Sequence, residues 1–203
     1  MKKGLRVVAL SLIAACALCA VGCKKDPATT RGETLSYEGI SLSECVRLGA
    51  YEGLTVTLTA DTDKESAVWS AVRNGSEILS YPEDAVAYYI AQTEARYGYY
   101  AEKNGVSKKE AMEAVGMTEE KIEAEAKALV ADDLIVRAVQ ADAGIALTED
   151  EKTRLFDKYA NKYVQDFGYD REYVKENLSE LIYESMLYDK TTEYLILKNT
   201  FVN

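Results

Sequence analysis

Apolar residues after about residue 60 recur at the three- and four-residue spacing of amphipathic helices. Asp63 can cap the first helix, and Asn74-Gly75 is a weak point within it. Pro82 suits the start of the next helix and Gly105 its end. The predicted helices cover about residues 64–79, 82–104, 107–115, 118–143, 148–167 and 179–199, with a short helix starting at Asp170.

Two of these helices carry a capping-box signature at their start. Ser107 is followed by Glu110, and Thr148 is followed by Glu151. In this motif the hydroxyl and the carboxylate each bond the backbone N–H near the other residue. The two motifs therefore predict helix starts to within a residue.

Only one stretch alternates as a half-buried strand does. Leu54, Val56 and Leu58 alternate with Thr55 and Thr57. One short strand cannot form a sheet alone, so we expect an extended arm lying on helices. The predicted fold is one all-α domain over residues 37–203, in which this short β arm precedes the helices.

The helix that follows Pro82 is rich in tyrosine, with six between residues 81 and 105. At about 100° per residue, Tyr89, Tyr97 and Tyr100 share one stripe, which predicts that they face the core. Tyr88 and Tyr99 lie well outside that stripe, which predicts contact with something else.

The closing helix is apolar on three sides. One face carries Tyr183, Leu187, Tyr194 and Phe201, a second carries Leu181, Tyr188 and Leu195, and a third carries Ile182, Met186 and Ile196. Such a helix is either enclosed completely or keeps one face for a partner. Both alternatives stay open, and we expect an exposed second face.

The N-terminus has the pattern of an export signal. Lys2, Lys3 and Arg6 precede an apolar run over 7–21, which is shorter than the roughly 20 residues of a membrane span. Ala20-Val21-Gly22-Cys23 resembles a bacterial lipobox. We expect a signal peptide over 1–22, a lipid on Cys23 and a flexible tether over 23–36; an ordinary signal peptide is the alternative.

Charge and cysteine content narrow the possible partners. The formal net charge is −10, and it becomes −13 without the signal's three basic residues. Nucleic acid and anionic headgroups repel such a chain, so we expect membrane attachment through lipid on Cys23 and no nucleic-acid partner. Cys45 would be the one cysteine left unmodified, which excludes an internal disulfide and favours a small buried side chain.

Catalytic motifs are scarce. The chain has no histidine, no Gly-rich phosphate loop and no EF-hand spacing. Acidic pairs such as Asp132-Asp133 are typical of solvated helix surfaces. We therefore expect no catalytic residue, no metal and no cofactor.

Five segments, taken in order, resemble the bacterial trigger factor chaperones. They are LGAYEGLTVTL (48–58), TADTDKESAVWSAVRNGSEI (59–78), YPEDAVAYYIAQ (81–92), GMTEEKIEAEAKALVADDLIVRAVQADAGIALTEDE (116–151) and LSELIYESMLYDKTTEYLILKNT (178–200). The most specific is the fourth, with its Gly-Met-Thr-Glu-Glu turn, long helix and Gly-Ile-x-Leu-Thr-x-x-Glu ending. The resemblance implies a cradle of helices with helical arms.

Two domains of that family have no counterpart here. There is no ribosome-docking domain, and only Leu79 and Ser80 occupy the place of the FKBP-type isomerase domain. The resemblance therefore implies client holding without prolyl isomerase activity and without a ribosome partner.

Together these features predict an ATP-independent chaperone that holds unfolded or newly secreted polypeptides at the outer face of the cytoplasmic membrane. The predicted client-binding residues are Tyr88, Tyr99, Tyr188, Leu181 and Leu195. An envelope adaptor with one folded partner is the main alternative, and an enzyme acting on a cell-wall polymer through acidic residues is another. The sequence leaves the oligomeric state open.

Overall fold

A computed structural model describes residues 35, 37 and 39–203 of the chain. The predicted signal peptide, the lipidation site at Cys23 and nearly all of the tether lie outside the described residues. Within the described part the protein is mainly helical, at 69% helix.

Eight helices and four short strands make up the described part of the chain. The helices are α1 (Leu42–Cys45), α2 (Lys64–Gly75), α3 (Glu83–Asn104), α4 (Lys108–Ala114), α5 (Glu119–Asp142), α6 (Glu149–Phe167), α7 (Arg171–Asn177) and α8 (Ser179–Lys198). The strands are β1 (Val46–Arg47), β2 (Thr55–Thr57), β3 (Glu77–Ile78) and β4 (Thr200–Val202).

The helix ends follow the local signals in the sequence. Ser107 and Thr148 each form the complete capping box with the glutamate three residues later. Asp63 accepts a hydrogen bond from the Ser66 N–H at 2.8 Å. Gly105 ends α3 at φ 65°, a left-handed conformation that glycine adopts without a Cβ clash. These predicted boundaries are confirmed.

The described residues divide into two compact units. The first contains Ser41–Ser80 and Asp132–Asn203, and the second contains Tyr81–Ala131. The second unit is therefore an insertion in the sequence of the first, and the division falls within α5.

The core of the first unit forms where α2 packs against α8. Val68, Val72 and Leu195 are fully buried there, and Trp69 is 2% exposed. The apolar side of α5 supplies Val139 to the same cluster. Burying side chains of this size stabilises the fold by about 1.5–3 kcal/mol each.

Two small sheets border this core. β1 pairs antiparallel with β3, and β2 pairs parallel with β4 in the register Thr55 to Thr200, Val56 to Phe201 and Thr57 to Val202. Val56 faces the core, while Thr55 and Thr57 are exposed. The alternation predicted for this strand is thus confirmed.

Asn199 fixes the junction between α8 and β4. Its Oδ1 accepts a hydrogen bond from the Leu54 N–H at 2.7 Å. Its Nδ2 donates to the carbonyls of Tyr51 at 2.9 Å and Leu195 at 2.7 Å. One amide side chain therefore ties the end of the last helix to the segment before β2.

The second unit combines α3, α4 and the first half of α5. Its completely buried side chains on α5 include Ile122 and Val130, and those on α3 are small. Lys108 on α4 pairs with Glu94 on α3 at 3.2 Å, and Arg96 on α3 pairs with Glu125 on α5 at 3.9 Å.

Three expectations about elements were wrong. The helix predicted over 64–79 ends at Gly75, after which Glu77–Ile78 extends to pair with β1. Phe201 lies in β4, where pairing with Val56 removes it from any helix face. The arm was expected to lie on helices without a strand partner, but β2 pairs with β4 and the two form a small sheet.

Candidate functional site

The tyrosine-rich helix α3 buries small residues and leaves its tyrosines half-buried or exposed. Ala85, Thr93 and Ala101 are its buried residues. Tyr89 and Tyr97 are half-buried, whereas Tyr100 is 52% exposed. The prediction of Tyr100 as a core residue is wrong, because the neighbouring Ala101 occupies the packed position instead.

The tyrosine rings of α3 pack against one another and against basic side chains. Tyr88 meets Tyr89 edge to face with ring centroids 5.3 Å apart, and Tyr99 meets Tyr100 at 6.0 Å. The Lys103 ammonium lies 5.1 Å from the Tyr99 ring centre. Contacts of this kind order aromatic rings that are only partly buried.

Further apolar side chains follow in the turns on either side of α4. Val106 comes directly after the glycine that ends α3 and is 42% exposed, and Val115 at the end of α4 is 64% exposed. Helix α4 has no buried residue, and its Met112 is half-buried. The segment therefore keeps apolar groups available although its backbone is fixed by caps.

We name these residues the α3–α4 surface: Tyr99, Tyr100, Val106, Met112 and Val115. Tyr100, Val106 and Val115 are its exposed members, and Tyr99 and Met112 are half-buried. Tyrosine offers a large contact area with a hydroxyl that stays hydrated, and methionine adapts its shape to different partners. Such a surface suits weak binding of varied apolar segments.

Charges of both signs border the α3–α4 surface. Lys109 and Glu113 form an exposed ion pair at 3.8 Å along α4. Hydrogen bonds from the Ser107 N–H and hydroxyl lower the pKa of Glu110, which keeps this carboxylate charged. Acidic and basic side chains therefore lie side by side at this border.

Of the five predicted client-binding residues, Tyr88 and Tyr99 lie on α3 and are half-buried. The other three lie on α8, in the first unit. Leu181 is half-buried, whereas Leu195 is completely buried in the core. The prediction of Leu195 as an exposed contact is wrong, because its face of α8 packs against α2 and α5.

Tyr188 is half-buried. Its ring stacks on Trp69 at 5.5 Å and packs against the core of the first unit. Burial raises the pKa of the Tyr188 hydroxyl to about 12. The expectation of an exposed second face on α8 therefore fails at Leu195, while Tyr188 keeps part of its surface exposed.

Polar groups inside the first unit are paired. The Trp69 Nε1 donates to the Thr192 hydroxyl at 2.8 Å, and the Gln140 side chain donates to the Thr191 hydroxyl at 3.1 Å. Among the described residues, every buried side-chain nitrogen or oxygen has a hydrogen-bond partner. This interior therefore serves to align α2, α5 and α8.

Two arginines neutralise carboxylates beside this interior. Arg73 contacts Asp132 at 2.6 Å, and Arg137 contacts Glu184 at 3.0 Å. Burial raises the pKa of both carboxyls, and the arginines partly oppose that change. Asp132 is thus a half-buried partner of Arg73, and the expectation of a solvated charge at this position is wrong.

The described residues hold no group of three or more His, Cys, Asp or Glu side chains placed to bind a metal ion. Cys45 is buried, as expected, and lies 3.6 Å from the Ser80 hydroxyl. No helix within the described ranges combines the length and the apolar character needed to cross a bilayer.

Tyr100, Val106 and Val115 are exposed residues that were not predicted from the sequence. A signal was present at both valines: each lies next to a helix-ending glycine, Gly105 or Gly116, where the chain turns at the surface. The exposure of Tyr100 was harder to predict, since the angular position of a side chain around the helix axis does not show which of two neighbouring residues packs into the core.

No protein-family model matches the chain, and neither the curated proteins nor the solved structures contain a match.

Proposed function

We propose that the protein is an ATP-independent holding chaperone for unfolded or newly secreted polypeptides. One observation carries the proposal: the α3–α4 surface exposes Tyr100, Val106 and Val115 within one compact unit. A contiguous exposed apolar patch often marks an interaction site, and in this proposal the three side chains form one such patch. The resemblance to trigger factors supports a polypeptide as the partner.

The proposal includes the place where the protein acts and the finer fold. Lipid on Cys23 anchors the chain outside the cytoplasmic membrane, and the helices form a cradle with arms, as the resemblance implies. Binding is weak and tolerant of sequence, because tyrosine, valine and methionine contact many side chains without selecting one. The net charge of −13 that remains without the predicted signal peptide keeps the loaded protein soluble.

An aggregation assay tests the function. The full chain in lipid nanodiscs should suppress aggregation of a chemically unfolded test protein at a near-equimolar ratio, without ATP. Empty nanodiscs give the baseline. No suppression at a severalfold excess of the chain would contradict the proposal.

Variants then test the surface. Replacing Tyr100, Val106 and Val115 together by serine should remove most of the suppression. Exposed side chains contribute little to folding, so each change should alter stability by only about 0.5 kcal/mol. Leu197→Ser is the matched control, since Leu197 is 84% exposed but lies in the first unit. Equal losses from both variants would show that the α3–α4 surface is not special.

Crosslinking in cells separates the chaperone from an adaptor. A photo-crosslinking amino acid at Tyr100 should capture many different polypeptides, each in small amount. A single dominant partner would favour the adaptor alternative. The protein should also leave a proline-limited refolding reaction at its uncatalysed rate.

A further inference from the structure

Strand β2 has a free edge. The sheet that it forms with β4 contains two strands, so β2 has no partner on its other side among the described residues. The flanking hydrogen bonds fix the directions of the backbone groups. The Thr200 N–H donates to the Leu54 carbonyl at 2.9 Å, and the Leu58 N–H donates to the Val202 carbonyl at 2.7 Å.

Alternation along β2 then assigns each amide to one side. Leu54 and Leu58 bond towards β4, and so does Val56 between them, because every second residue of a strand bonds in the same direction. The N–H and carbonyl groups of Thr55 and Thr57 therefore point to the free edge. They repeat at about 6.6 Å, the spacing that a strand partner requires.

This edge lacks the features that usually prevent strand pairing. Natural proteins protect a free edge with lysine, proline, a bulge or a covering element. Residues 54–60, LTVTLTA, contain no charge and no proline, although 29% of the chain is charged. Thr55 and Thr57 are both exposed, and no further strand pairs with β2 among the described residues. Threonine and valine also favour the extended conformation.

We propose that the Thr55–Thr57 edge binds an extended segment of a client polypeptide as an added β-strand. Main-chain hydrogen bonds would supply affinity that does not depend on sequence. A second copy of this chain fits less well, because each copy without the predicted signal peptide carries a net charge of −13 and the two would repel. The proposal rests on the proposed function and adds a second binding mode to it.

Peptides methylated on their backbone amides test the proposal directly. The probe is a fluorescein-labelled ten-residue peptide of alternating valine and threonine with lysine at both ends. Its binding to the full chain in nanodiscs is followed by fluorescence anisotropy. One peptide is N-methylated on every second amide, which leaves one of its edges able to pair, and the other is N-methylated on every amide. An added strand uses only one set of its amides, so the first peptide should bind almost normally and the second about tenfold more weakly.

The protein side has a matched pair of variants. Thr57→Pro removes the outward N–H without removing a bond to β4, and Thr57→Ala keeps that N–H. The proline variant should lose peptide binding about tenfold, and the alanine variant should bind as the original chain does. If the proline variant does not fold, binding of the two methylated peptides to the original chain still tests whether a strand is added at this edge.

The possible outcomes are distinct. Equal binding of both methylated peptides, or equal loss for both, overturns the added-strand mode. A dimer in sedimentation that Thr57→Pro dissolves would also overturn it, because a second copy would then occupy the edge. Loss of aggregation suppression by the unchanged chain is a different result, since it would remove the proposed function itself.

Discussion

The indole of Trp69 lies nearly parallel to the ring of Tyr188, with centroids 5.5 Å apart and planes inclined by 13°. The same indole donates its N–H to Thr192, one turn further along α8. A single side chain on α2 is thereby held to two successive turns of α8. This arrangement makes Trp69, the only tryptophan of the chain, a reporter of how the two helices pack.

The bond between Trp69 and Thr192 should contribute measurably to stability. Thr192→Val keeps the shape of the side chain but leaves the buried indole N–H without its acceptor. We expect the free energy of unfolding to fall by about 1–3 kcal/mol. Urea unfolding followed by tryptophan fluorescence and by circular dichroism would measure the change. Thr192→Ser retains the hydroxyl and should lose less, and a larger loss for serine than for valine would contradict this explanation.

Gly49 should not tolerate a side chain. A Cβ at this position would lie 2.0 Å from the carbonyl oxygen of Gly75, which is backbone and cannot rotate away. We expect Gly49→Ala to lower the free energy of unfolding by about 1–3 kcal/mol because the two segments must separate. Thermal unfolding would measure the loss.

Gly98 provides the matched control for Gly49. It lies within α3, and a Cβ added there meets nothing within 4 Å. Alanine in a helix is favoured over glycine, so Gly98→Ala should raise stability by about 0.5–1 kcal/mol. Similar destabilisation by both alanines would show that the contact between Gly49 and Gly75 is not the cause.

Glu151 should make the first unit sensitive to acid. Hydrogen bonds from Lys190 and from Thr148 lower its pKa from 4.5 to about 2. A carboxylate whose pKa is lower in the folded than in the unfolded state stabilises the fold at any pH above the unfolded-state pKa. This stabilisation is lost as the pH falls through the folded-state pKa. The original chain should therefore exceed Glu151→Gln in stability above about pH 4.5, and the two should converge by about pH 2.

Unfolding midpoints measured between pH 7 and pH 2 would reveal this convergence. Glutamine can still accept the bond from the Thr148 N–H, so the comparison isolates the charge. Glu149→Gln is the control, because Glu149 pairs with Lys152 at an exposed position. A stability difference for Glu151→Gln that does not change with pH would contradict the prediction.

Asn199 should hold β4 in place. Asn199→Ala removes the acceptor of the Leu54 N–H and the donor to Tyr51 and Leu195. We expect a loss of about 1–3 kcal/mol, together with faster amide exchange at Leu54 and Leu58. Asn199→Asp restores the acceptor but not the donor, so its stability should lie between those of the original chain and Asn199→Ala. Unchanged exchange in the alanine variant would show that strand pairing does not need this side chain.

Local features were predicted well from the sequence. The capping boxes at Ser107 and Thr148 and the glycine at 105 each act within one turn of the chain, so three or four residues contain the whole signal. The resemblance to trigger factors and the client-holding function, by contrast, stay predictions.

Features set by distant partners were not predicted. Strand β4 forms only because Thr200–Val202 meets β2, and nothing near residue 200 shows this. Leu195 and Tyr100 both lie on helices whose apolar residues surround the axis. Periodicity gives the angle between two side chains around the helix axis. Which face is buried depends on the element that packs against the helix.

The pairing of β2 with β4 also sets an order of events during synthesis. The N–H of Leu54 finds its acceptor on Asn199, 145 residues later in the chain. The first segment of the first unit must therefore wait until nearly the whole described chain has left the ribosome. Tyr81–Ala131 can fold earlier, because the segment is only about 50 residues long and contacts within it close small loops. The unit that carries the α3–α4 surface is thus able to take shape while its own chain is still unfinished.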